Sequence, residues 1–223
     1  MDDEIILCVM PLFHVFAVSV CLHLAPYCRG SLILLPRYRT DLVIEAIERE
    51  KATFLPFGPT IFNGLLANQD LEKADFSSVR RGLSGSAPLP EETLRQWQDL
   101  YNLLIFEGYG QSEAGPVICL NSADRDIVPG SVGPPLPLTE IKIVDVATGD
   151  KILATGEQGE ICLRGPQIML GYRNRPGETA AALRQGWLFT GDIGELDEFL
   201  YTHPDIIEAK LLLPRLYSGM AAA

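Results

Sequence analysis

Leu103-Leu104-Ile105-Phe106-Glu107-Gly108-Tyr109-Gly110-Gln111-Ser112-Glu113 is the stretch that decides the fold. Leu103–Phe106 is an apolar run of strand length, and it leads straight into a loop of small and polar residues. Glycines on both sides of Tyr109 let the backbone turn sharply and approach a ligand closely. Upstream, the same rhythm repeats. Ile5–Val9, Leu32–Leu35, Thr53–Phe57 and Val79–Leu83 read as buried strands. Thr40–Lys51, Pro59–Asn68 and Leu89–Asn102 read as helices between them. Strands alternating with helices predict an α/β fold, with a largely parallel sheet flanked by helices. Ligands bind such sheets at the carboxyl ends of the strands. The loop at 108–113 lies there, and so does Ser84-Gly85-Ser86-Ala87-Pro88.

Helix signals support this reading. Leu42, Val43, Ala46 and Ile47 share one side of Thr40–Lys51, and Asp41 or Thr40 is placed to cap it. Pro90 falls in the first turn of Leu89–Asn102, followed by Glu91 and Glu92, where acidic side chains suit the helix dipole. Val15–Ala25 is apolar but interrupted by His23 and too short to span a bilayer, so a buried helix is expected. Near Val128 the texture changes. Pro129–Pro135 is rich in turn residues, and shorter strand-like runs follow at Glu140–Val144, Lys151–Ala154, Glu160–Leu163 and Leu188–Ile193. The expected organisation is an α/β part over 1–127, a smaller β-rich subdomain over 128–198, and a separate remnant over 199–223.

Composition narrows the function classes. A net charge of −11 argues against nucleic acid or anionic lipid as a non-specific partner. The five cysteines are scattered, form no close metal-ligand pair and read as reduced buried thiols, which predicts a cytoplasmic protein. Met1 is followed by Asp2, Asp3 and Glu4, so a secretory leader is not expected.

In the loop at 108–113, Ser112 offers a hydroxyl and the backbone N–H groups can cradle phosphate oxygens. Glu113 offers the hard oxygen that Mg²⁺ prefers, and Tyr109 is placed to lie flat against a purine. The competing reading is a βα turn in which Ser112 caps a helix. Taken alone, Ser84–Pro88 reads more readily as an ordinary small-residue turn, His14 as a satisfied structural histidine, and Asp192 as an exposed turn aspartate.

Their order along the chain is more informative. Pro11-Leu12-Phe13-His14, Ser84–Leu89 and Glu107–Glu113 are followed by Gly130-Ser131-Val132-Gly133 and Gly159–Pro166. Met169-Leu170-Gly171-Tyr172 and Thr190-Gly191-Asp192 complete the series. This succession resembles the adenylate-forming superfamily, in particular its fatty-acyl-CoA and 4-coumarate-CoA ligase branch. The resemblance implies that His14 looks into the acyl pocket and senses its occupancy. It places Gly85, Ser86, Ala87 and Pro88 along the adenine and acyl junction, with Glu107, Gly108, Tyr109, Gly110 and Gln111 bordering the nucleotide. Ser112 would hold the α-phosphate, Glu113 Mg²⁺ and Asp192 the ribose.

The implied chemistry is activation of a carboxylic acid by ATP to an acyl-adenylate, followed by displacement of AMP by CoA. A fatty acid is the first expectation for the acid, and an aryl-propenoic acid the second. The family's phosphate loop, hinge and catalytic lysine motif do not occur in these 223 residues. The sequence therefore predicts a partial ligase that is inactive as an isolated chain, with open sheet edges through which it associates with another chain. The alternative is a non-catalytic module that binds AMP or an acyl-adenylate.

Overall fold

The computed structural model describes residues 3–121 and 127–197, so the expected remnant over 199–223 lies outside the described residues. The chain divides into two compact units, Met1–Glu107 and Gly108–Ala223.

In the first unit, β1 (Ile5–Cys8), β2 (Ser31–Leu34), β3 (Phe54–Phe57), β4 (Arg81–Ser84) and the start of β5 (Ile105–Gly110) pair in parallel, in the order β2-β1-β3-β4-β5. Phe54–Phe57 is buried at every position, as expected of a parallel strand covered on both faces. β2 forms an edge, with Ser31 and Leu34 exposed.

Helices α3 (Thr40–Glu50), α4 (Pro59–Leu66) and α5 (Glu91–Tyr101) supply the apolar stripes that meet the sheet. Val43, Ala46 and Ile47 from α3 join Ile61, Phe62 and Leu65 from α4 and Trp97 from α5 in one core with Leu7, Leu55 and Ile105. Lys51 and Asn102 end α3 and α5 in the left-handed conformation, the usual geometry of a helix C-terminus.

Two expectations are corrected here. The N-cap of α3 is Arg39, whose guanidinium has no acceptor to offer the first-turn N–H groups, while Asp41 lies inside the first turn and accepts from Arg39 Nε at 3.1 Å. The apolar segment after Pro11 is helical but not one regular helix. α1 (Val15–Ala17) and α2 (Leu24–Tyr27) flank six residues, Val18–His23, wound as a π-helix. Such wide turns occur frequently at functional sites.

The second unit starts inside β5, where Gly108, Tyr109 and Gly110 pair antiparallel with β6 (Val117–Leu120). A register irregularity falls between Tyr109 and Gly110, and a Cβ on Gly110 would sit 1.9 Å from the Pro116 carbonyl oxygen, so only glycine fits. A four-stranded antiparallel sheet follows in the order β7-β8-β10-β9: β7 is Glu140–Val144, β8 Gly159–Arg164, β9 Leu183–Arg184 and β10 Trp187–Gly194. Lys151–Ala154 is not a strand. The turns at Gly149-Asp150 and Gly156 leave it room for a single bridge, Ile152 to Val144. Helix α6 (Pro176–Ala182) precedes β9 and buries no residue. Among the described residues no helix is long and apolar enough to cross a membrane.

Candidate functional site

In the first unit, the loop after β4 has the features of a built turn. Ser86 has φ +71°, an unusual conformation for a residue with a side chain, and both Ser86 and Ala87 are exposed. Backbone outliers of this kind cluster where a ligand is gripped. Gly85 lies under the Phe16 ring, and a Cβ there would come within 2.8 Å of it. The loop is tied to β5 by the buried Glu107, whose Oε1 accepts from the Leu89 N–H at 3.0 Å. Burial pushes the Glu107 carboxyl up to about 7, opposed by the Leu89 N–H. Ser84, in register with Glu107, is fully buried, and its hydroxyl has no hydrogen-bond partner among the described residues. His14 is half-buried and caps α1, its Nδ1 accepting from the Phe16 N–H at 3.2 Å.

In the second unit, Ser112–Ala114 forms a single 3₁₀ turn. Ser112 is exposed and does not cap it. The N-cap residue is Gln111, again without a side-chain cap. Tyr109 is buried in a core with Ile118, Ile161 and Leu188. Its hydroxyl donates to Asp192 Oδ2 at 2.6 Å, joining two motifs 83 positions apart. Burial, with Asp192 beside it, raises the Tyr109 phenol well above its usual range, so the hydroxyl remains a donor at neutral pH. The Asp192 N–H in turn donates to Thr190 Oγ1 at 3.1 Å, and the Thr190 hydroxyl donates to the Ile161 carbonyl at 2.9 Å.

Glu113 is partly exposed, and its Oε1 accepts from the Tyr172 hydroxyl at 2.8 Å. The sequence series quotes Tyr172 without giving it a role, because nothing in local spacing links it to a carboxylate 59 positions away. No group of three or more metal-ligating side chains occurs among the described residues. One carboxylate suits Mg²⁺ when nucleotide phosphates and water complete its shell, so the Glu113 donor fits that ion. Beside Thr190 and Gly191, a groove of about 590 Å³ is lined by Tyr172, Arg175, Arg184 and Phe189.

The parallel sheet flanked by helices and the antiparallel sheet that follows it in sequence define the class as an α/β protein. The chain belongs to the AMP-binding enzyme family, which it matches over residues 1–173. Over 195 residues it is 42% identical to the long-chain-fatty-acid–CoA ligase of Bacillus subtilis, covering 87% of this chain and 35% of that protein. It is 37% identical over 203 residues to 4-coumarate–CoA ligase 1 of Arabidopsis thaliana, covering 88% of this chain and 36% of that protein. The crystal structure of ATP-bound MatB from Rhodopseudomonas palustris is similar with a TM-score of 0.83 at 32% identity, over 94% of this chain and 40% of that one. The chain thus spans about a third of the length of these two curated relatives.

Proposed function

We propose that this chain carries nucleotide-holding residues of an AMP-forming acyl-CoA ligase, with a fatty acid as the carboxylic acid activated. The observation that carries the reading is the Tyr109–Asp192 hydrogen bond. It fixes the carboxylate assigned to the ribose against the loop assigned to the phosphates, within one unit. Ser112 and Glu113 stand exposed and half-exposed at the end of that loop, as α-phosphate and Mg²⁺ contacts require. When bound, Mg²⁺ supplies charge neutralisation on the phosphates. In the first unit, the strained Ser86 and its neighbours Gly85, Ala87 and Pro88 are assigned to the nucleotide and acyl group, and His14 to the acyl side. The choice of a fatty acid rests on relatives named for long-chain fatty acids. CoA is the proposed thiol substrate. Among the described residues β2 is an edge strand, which supports association with another chain.

Calorimetric titration with AMP tests the reading. Binding is expected, and Asp192→Ala is expected to weaken it about tenfold to a hundredfold, the loss of one or two hydrogen bonds to a charged group. Circular dichroism checks that the variant folds, since the Tyr109 hydroxyl loses its acceptor. Return of labelled pyrophosphate into ATP would extend the reading to adenylation by this chain. AMP binding without exchange would favour a module that holds AMP or an acyl-adenylate. Absence of AMP binding by folded protein would refute the nucleotide assignment.

A further inference from the structure

We infer that Tyr172 is a positioning residue that holds the Glu113 carboxylate in the orientation a divalent cation requires. The inference rests on the nucleotide reading above, and adds to it a residue that the resemblance left without a role.

The geometry is specific. The Tyr172 hydroxyl donates to Glu113 Oε1 at 2.8 Å, while the Met169 N–H donates to the Glu113 carbonyl at 2.8 Å. The segment Met169–Tyr172 therefore grips Glu113 by its side chain and by its main chain. Tyr172 is itself anchored. Its N–H donates to Thr179 Oγ1 at 2.9 Å, and the Thr179 hydroxyl donates to the Arg175 carbonyl at 2.8 Å. Among the described residues Glu113 Oε2 accepts no hydrogen bond, so the phenol occupies one carboxylate oxygen and leaves the other for a cation.

A partly exposed glutamate that must find its own rotamer loses side-chain entropy when it binds an ion. A neutral donor on one oxygen removes part of that cost without reducing the charge. Partners of this kind around metal ligands typically change metal affinity about tenfold to a hundredfold when removed. α6 explains itself in the same terms. It buries no residue, and its Thr179 fixes the backbone of Tyr172.

The test compares the full chain with Tyr172→Phe and Glu113→Gln. AMP affinity is measured by calorimetry without metal. Mn²⁺ affinity is measured by water-proton relaxation, with and without saturating AMP. Tyr172→Phe is expected to leave AMP affinity within about twofold while weakening Mn²⁺ about tenfold, and Glu113→Gln to abolish the bound-Mn²⁺ signal. Thr179→Val, which frees the Tyr172 N–H and keeps the phenol, should weaken Mn²⁺ in the same direction by less. Wild-type Mn²⁺ affinity in Tyr172→Phe, with AMP still bound, would overturn the positioning role and leave the nucleotide reading standing. Failure of the wild-type chain to bind AMP would count against that reading instead. Failure to bind Mn²⁺ in either condition would overturn the inference.

Discussion

Trp97→Ala is expected to lower the unfolding free energy by about 3–5 kcal/mol, the range for emptying a buried tryptophan site. Trp97 is fully buried and packs edge-on against Phe62, with ring centroids 5.6 Å apart, and against Phe76 and Tyr101 at 5.5 Å each. Its indole N–H points to the Phe62 carbonyl at 3.4 Å, a long and weak bond, so the loss comes mainly from packing. Three other aromatic rings surround the space, and rings anchored to separate elements cannot collapse to fill it. Urea unfolding followed by circular dichroism measures the change. Trp97→Phe, which keeps most of the ring volume, should cost clearly less. A loss below about 1 kcal/mol in the alanine variant would mean that this aromatic cluster does not hold the first unit together.

The elements that this core joins were largely legible in the sequence. Ile5–Val9 and Thr53–Phe57 declare themselves as short apolar runs, Glu140–Val144 as a strand-like run after a turn-rich stretch, α3 by its helical spacing and α5 by Pro90 with Glu91 and Glu92 at its start. Other elements left no such mark. α6 is built of small residues with no apolar stripe, β9 is two residues long, and β6 follows the Ser112–Ala114 turn too closely to stand out as a separate run. A regular period cannot announce the π-helical widening at Val18–His23, because it is a local departure from that period.

The candidate site divides in the same way. Residue identity nominated Ser112 and Glu113, whereas Asp192, an ordinary turn aspartate by local sequence, was nominated only through the family resemblance. The hydrogen bonds from Tyr109 to Asp192 and from Tyr172 to Glu113 span 83 and 59 positions, and only folding brings such residues together. Local chemistry also left the environment of Tyr109 open. An aromatic between two glycines does not announce its neighbours, and here it packs with Ile118, Ile161 and Leu188.

Glu107 makes a stability prediction whose sign follows from its burial. In the folded chain its carboxyl is raised from 4.5 to about 7. The folded state therefore binds the proton more tightly than the unfolded state. Stability from this group is fully present below pH 4.5 and falls as pH rises towards 7. The integrated loss is about 3 kcal/mol at pH 8, where the buried group is ionised in both states. Glu107→Gln keeps an oxygen to accept from the Leu89 N–H and removes the ionisation. Its amide N–H₂ adds a buried donor, which shifts stability by an amount that does not vary with pH. The informative quantity is therefore the difference in unfolding free energy between variant and wild type, followed by urea titration from pH 4.5 to 8. That difference is expected to move by about 3 kcal/mol in favour of glutamine across the range. A difference that stays flat would mean that Glu107 ionises as readily in the folded chain as in the unfolded one. The Ser84–Leu89 loop would then be held by a carboxylate with solvent beside it, and not by a buried acid that shares its environment with the Ser84 hydroxyl.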